Sequence, residues 1–174
     1  MIGTPSRPSA RRVVKLAGGT LATALLLSAC GSVHPGSAAV VGSDTISQSS
    51  ADATALAVCS ADAGSQPTGV PSRTERRRAL SLLVQSELAR QFGAKQGVQP
   101  NQAAVSAGVA QAAATVKSLP PDQRTELANL IRDLYAGQSI VETVGRRSLE
   151  AQGRAPITSK QASAQGNLLL NRYA

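Results

Sequence analysis

Two thiols and one imidazole, on Cys30, Cys59 and His34, are the chain's whole stock for nucleophilic, redox or soft-metal chemistry. A structural zinc site needs about four N, S or O ligands brought together. One histidine and one spare cysteine do not supply them, so no metal site is expected. His34 stands among Gly, Ser and Pro, where nothing orients its ring, and no catalytic role is expected of it. The sequence has no GxSxG elbow, no HExxH or CxxC pair and no phosphate-binding glycine loop. Of the ten acidic residues, Asp122, Glu126 and Asp133 come nearest to a carboxylate pair. Asp122 and Glu126 lie one turn apart at the start of an expected helix, where acids complement the positive end of the helix dipole. The chain therefore reads as a non-enzyme, with no catalytic residue and no cofactor.

Cys30 has a different context. Residues 1–15 are polar and basic, residues 16–27 are apolar apart from Gly and Thr, and Leu27-Ser28-Ala29-Cys30 closes the segment. That apolar run is shorter than the roughly 20 residues of a permanent membrane span, and it suits the centre of an export signal. Small residues before the cut let the chain enter a peptidase in extended form. The arrangement resembles the bacterial lipobox, in which a cysteine thiol is alkylated by a diacylglyceryl group. The resemblance implies residues 1–29 as a lipoprotein signal peptide, cleavage between Ala29 and Cys30, and lipid, with acyl chains such as palmitate, on Cys30. The mature protein would then be anchored on the extracytoplasmic face of the cell membrane. Each buried CH₂ contributes about 0.8 kcal/mol, so several acyl chains anchor durably. Arg11-Arg12 is similar to a twin-arginine signal and fits an ordinary basic leader better. Residues 30–37 read as a flexible tether. With Cys30 acylated, Cys59 has no partner in the chain, so no internal disulfide is expected. Cys59 then reads as a small buried hydrophobe.

Removing residues 1–29 takes away four of the eighteen basic residues and none of the ten acidic ones, leaving 145 residues and a charge of +4. That modest basicity argues against a nucleic-acid partner. So does the scarcity of aromatic residues for stacking on bases: Phe92, Tyr135 and Tyr173 are all there are. The length fits one core, made of Leu, Val, Ile and Ala.

The elements follow from turn and cap signals. Ala38-Ala39-Val40-Val41, the turn Gly42-Ser43-Asp44 and Thr45-Ile46-Ser47 predict a compact hairpin. Ser47, Ser49 or Ser50 can cap a helix running to about Ala61. Residues 63–72, with two glycines and two prolines, predict a loop. Ser72 or Thr74 can cap the next helix, which Gly93 is expected to end, with Leu80, Leu83, Val84, Leu88 and Phe92 on its apolar face. Arg76, Arg77 and Arg78 lie in its first turns. Cations are disfavoured at a helix N-terminus, so the cluster reads as a solvated charged turn or, functionally, as a contact for anionic lipid headgroups.

A third helix is expected over residues 101–118, with Val105, Val109, Ala112, Val116 and Leu119 on one face. Pro120-Pro121-Asp122 opens a fourth, which carries Leu127, Leu130, Ile131, Leu134, Val141 and Val144. That helix is expected to end near Gly153, with Gly137 as a place for a bend or split. Leu168-Leu169-Leu170 can be a final strand or the end of a helix; a strand pairing with residues 39–41 is preferred. The fold class expected is mainly α, with a short N-terminal β-hairpin and a C-terminal strand.

The run from Ala38 through Gly42 and Ile46-Ser47 into a helix resembles the opening of the SurA N-terminal domain and of related PrsA and trigger-factor-type chaperone modules. Residues 83–98 (LVQSELARQFGAKQGV) are similar to that family's central helix and its Gly-Val exit. The resemblance spans roughly residues 38–149, through order and spacing more than through single residues, and is closest to small actinobacterial SurA-type lipoproteins. The family's parvulin prolyl-isomerase domain has no room here, so isomerase activity is not implied. Residues 63–72 and the segment after Pro156 depart from the pattern. The resemblance implies that residues 38–174 form a chaperone-like module binding unfolded, newly exported or extended polypeptide in an apolar groove. The alternative is a structural or adaptor lipoprotein that binds one cell-envelope partner.

Overall fold

The turn at Gly42-Ser43 sets the first element pair. In a computed structural model, which describes residues 35–63 and 71–174, strand β1 (Ser37–Val41) pairs antiparallel with β2 (Asp44–Ser47), and Val41 stands opposite Asp44. Gly42 has φ +59° and, among the described residues, no non-glycine residue has positive φ, which is the pattern of a type II′ hairpin turn. The expectations about the signal segment, Ala29, Cys30, His34 and residues 64–70 lie outside the described residues.

Helix α1 (Gln48–Ala63) starts at Ser47, whose hydroxyl accepts the Ser50 N–H at 3.0 Å. Helix α2 (Arg73–Gln96) opens with a capping box: Ser72 Oγ accepts from Glu75 N–H at 3.3 Å, and the Glu75 carboxylate accepts from Ser72 N–H at 2.5 Å. The helix passes through Gly93 and stops at Gly97, which takes the left-handed conformation with φ +60°. Gly93 is a packing glycine, not the terminator its type suggested: a Cβ there would lie 2.9 Å from Ile140 Cγ2.

Asn101 caps α3 (Gln102–Ser118) by accepting the N–H groups of Ala103 and Ala104 at 3.0 and 3.2 Å. Pro121 opens α4 (Pro121–Ala151), and Gly153 with φ +73° follows its end. This 31-residue helix runs unbroken through Gly137, where a bend or split was expected. Gly137 is buried instead, where a Cβ would stand 3.0 Å from that of Ala89, and so lets α2 approach.

The C-terminal strand is corrected. Residues 168–170 belong to helix α5 (Ser159–Tyr173), and the described sheet has β1 and β2 alone. Two forces favour the helix. Thr158 and Gln161 form a second capping box. Ala162 and Gly166, four residues apart, give α5 a smooth stripe that lies on α4 at backbone contact. A Cβ on Gly166 would collide with the Val141 carbonyl, and one on Gly145 with the Ala162 carbonyl. A strand has no use for that four-residue spacing. In the helix, Leu169, Leu170 and Tyr173 reach the core and Leu168 stays exposed.

Helix α4 is the spine against which the other four helices pack. Its N-terminal half holds a cluster of Leu127, Leu130, Ala57 and Leu119, flanked by Leu82 and Leu83. Its C-terminal half holds Ile140 and Val144 with Phe92 and Val98. On α2 the deepest positions are Ala79, Ala89, Phe92 and Gly93, while Leu80, Leu83, Val84 and Leu88 are half-buried along the edges. Small residues sit where the helices come closest, and large ones fill the flanks.

Candidate functional site

Close approach of α2 and of α5 to the same spine leaves a groove of about 560 Å³ beside α4. Its floor includes Ala89, Gly137 and Val141, all buried. Leu134 and Leu170 add half-buried apolar surface, and Tyr135 stands where a Cβ on Gly108 would strike its ring. Along the rim are four exposed side-chain amides: Gln85 from α2, Gln138 from α4, and Asn167 and Asn171 from α5. Glu142 is the one ionisable acid in the lining, and Arg146 pairs with it at 2.8 Å. The same guanidinium donates to the Ile157 carbonyl at 2.9 Å and so holds the segment that leads into α5.

The volume lies within the range of about 300–1,000 Å³ common for small binding sites. Its chemistry is an apolar base under neutral groups that both donate and accept hydrogen bonds. Such a lining matches peptide units and apolar side chains, and offers little to a strongly charged ligand.

The remaining polar contacts tie elements together. In α1, Thr54 Oγ1 donates to Glu126 Oε1 at 2.7 Å, and the buried Ser60 hydroxyl contacts Gln123 Oε1 at 2.5 Å. Glu126 is thus a partner of α1, while Asp122 is exposed in the first turn of α4. Arg90 bonds Glu87 at 2.5 Å and Asp44 at 2.8 Å, joining the hairpin to α2. The hydrogen bonds from Arg90, with further help from Gln91, hold the Glu87 carboxyl below the usual carboxylate range.

The structure separates the three clustered arginines. Arg76 pairs with Asp52 at 3.0 Å and Arg78 with Asp62, both across to α1, while Arg77 is exposed. Acidic residues therefore meet two of the three cations at this helix start. Cys59 is half-buried, not fully buried, and its thiol donates to Glu75 Oε1 at 3.0 Å. That hydrogen bond first, then burial and the nearby carboxylates, push the thiol pKa up. Among the described residues, no three His, Cys, Asp or Glu side chains gather where they could hold a metal ion. Nor is any described helix long and apolar enough to cross a membrane.

No protein-family model matches this chain, and neither do the curated proteins or the solved structures compared with it.

Sequence reasoning reached Leu134 and Val141 as apolar positions and missed the rim amides. One signal was available: Asn167 and Asn171 repeat at four residues, next to the four-residue repeat Ala162 and Gly166. Two stripes of that kind, one small and one amide, mark a packed face and an exposed flank of one helix.

Proposed function

We propose that the mature chain is an extracytoplasmic lipoprotein, held to the membrane by lipid on Cys30, whose helical domain binds extended or non-native polypeptide in the groove beside α4. The observation that carries this reading is the pairing of an apolar floor with a rim of neutral amides at Gln85, Gln138, Asn167 and Asn171. Amides can hydrogen-bond an extended backbone whatever its sequence, and the floor takes apolar side chains at about 25 cal/mol per Å² of buried surface. Binding is then weak and sequence-tolerant, as a holder of unfolded segments requires. The similarity of residues 38–149 to the SurA N-terminal module supports the same reading.

The test is suppression of client aggregation by the full chain at stoichiometric ratio, with several unfolded clients. Gln138→Arg and Asn167→Arg introduce charge on the exposed rim without touching the core, and both are expected to weaken suppression. No suppression with any client, or full suppression by both variants, removes the groove reading. Cys30→Ser tests the anchor separately: unchanged processing and unchanged membrane fractionation would remove it.

One observation favours the alternative of a single-partner adaptor. Among the described residues, the exposed large hydrophobics are Val40 and Leu168, at 53% and 57% exposure. They lie on different elements, the hairpin and α5, whereas promiscuous client binding usually goes with a contiguous apolar patch. Recovery of one stoichiometric envelope protein by crosslinking in intact cells, in place of many clients, decides for the adaptor.

A further inference from the structure

A second cavity, of about 510 Å³, lies where α2 ends against α4 and the last turn of α5. Phe92, Val98, Val144 and Leu169 contribute apolar lining, and the Tyr173 ring stands 5.6 Å from that of Phe92. Arg147 and Arg172 also line the cavity, and Lys95 Nζ lies 5.9 Å from the centre of the Tyr173 ring. No residue of the lining is acidic. Among the described residues the ion pairs engage Arg76, Arg78, Arg90 and Arg146; Lys95, Arg147 and Arg172 are outside them, as are other surface cations such as Arg77 and Arg154.

Two of these cations have a local reason to be there. Lys95 and Arg172 stand in the last turns of α2 and α5, where positive charge complements the helix dipole. Arg147 sits inside α4, before its final turn, and has no such reason. All three side chains are exposed, and positive charges on one side of a cavity attract an anion. A bare inorganic anion would leave the half-buried Leu169 and Tyr173 surface wet. An amphiphile with an anionic head satisfies both halves of the cavity.

We infer that this cavity binds one anionic phospholipid, its phosphate against Arg147, Arg172 and Lys95 and the start of its acyl region on Leu169 and Tyr173. The site is distinct from the groove and does not depend on polypeptide binding there. It also differs from Arg76–Arg78, two of which are engaged by α1.

The test uses the full chain in a neutral detergent. Native mass spectrometry follows titration with phosphatidylglycerol, with phosphatidylcholine of the same chain length, and with inorganic phosphate. The expected result is one bound phosphatidylglycerol, with phosphatidylcholine about tenfold or more weaker and phosphate unbound. Equal binding of phosphatidylcholine shows an apolar cup without charge recognition and overturns the proposal. Binding of inorganic phosphate as tight as that of the lipid shows a bare anion site and overturns it as well. Arg147→Gln with Arg172→Gln is expected to weaken phosphatidylglycerol binding about tenfold or more, while Arg77→Gln, at the other end of α2, leaves it unchanged. Equal losses in the two variants mean that bulk charge is responsible, and the proposal fails. If the double variant loses helical circular dichroism, Lys95→Gln provides the reading: a drop in affinity supports the site and none refutes it.

Discussion

Replacing Gly145 by alanine puts one methyl group between two helix backbones. The new Cβ would meet the Ala162 carbonyl oxygen and the Gly166 nitrogen, both main-chain atoms of α5. No rotamer change removes them, so α5 must move away from α4. Two effects oppose each other. Gly→Ala inside a helix stabilises by about 1 kcal/mol through backbone entropy. Overpacking costs about 1–3 kcal/mol, and the upper half of that range applies because backbone has to yield. Displacing α5 also loosens Leu169, Leu170 and Tyr173 from the cluster around Phe92. The balance is a net loss of about 1–2 kcal/mol, which for a domain of this size lowers Tm by about 3–7 °C. Thermal unfolding followed by far-UV circular dichroism measures it, and near-UV dichroism of Tyr173 reports whether α5 remains docked. Gly166→Ala should behave alike, and the double variant should cost less than the sum, because one displacement relieves both clashes. A rise in Tm for Gly145→Ala would mean that propensity wins, and the backbone-contact account of α4 and α5 would be refuted.

Ser60→Ala leaves the buried Gln123 carbonyl oxygen without its hydroxyl partner and should cost about 1–3 kcal/mol in urea unfolding; an unchanged midpoint would show that Gln123 finds another donor. Glu87 is held below the ordinary carboxylate range chiefly by its hydrogen bonds from Arg90, so the unfolded state takes up protons first as pH falls. Its stabilisation is therefore complete above the ordinary glutamate pKa and is lost as pH drops through the lowered folded value. Glu87→Gln should flatten the acid limb of the stability curve, and an unaltered limb would assign it to other carboxylates. Glu75→Gln keeps an acceptor for the Cys59 thiol but removes the charge that helps push its pKa up, so alkylation by iodoacetamide at mildly alkaline pH should quicken. An unchanged rate would show that access, not charge, limits Cys59. Ser72→Ala breaks the first capping box and should cost about 1 kcal/mol in unfolding free energy.

Local chemistry was legible wherever one residue type performs one local task. Ser47 and Ser72 cap the helices they precede because a short side-chain oxygen can reach a free N–H two or three residues on. Gly42 makes the hairpin turn, and Pro121 opens α4. Glycine misled wherever its role was contact with another helix. Gly93 and Gly137 look like a stop and a hinge in the sequence, yet both sit inside unbroken helices because a neighbour needs the space a Cβ would fill. The same cause hid the end of the chain. Residues 168–170 are a short apolar run that suits a strand or a helix end alike, while the deciding contact lies at Ala162 and Gly166 against Val141 and Gly145. The groove was out of reach for a related reason: its rim amides come from three helices that are far apart in the chain.

Composition and short-range pattern determined on their own that the folded part is a small, aliphatic, mainly helical body opened by a hairpin, because caps, turns and helical periodicity act within a few residues. The tertiary structure alone decided which glycines end helices and which admit a neighbouring helix, that α5 lies along α4 as a helix, and where apolar and basic side chains meet to form cavities. Those outcomes depend on distances between elements, and such distances are fixed only when the backbones of two helices compete for the same space.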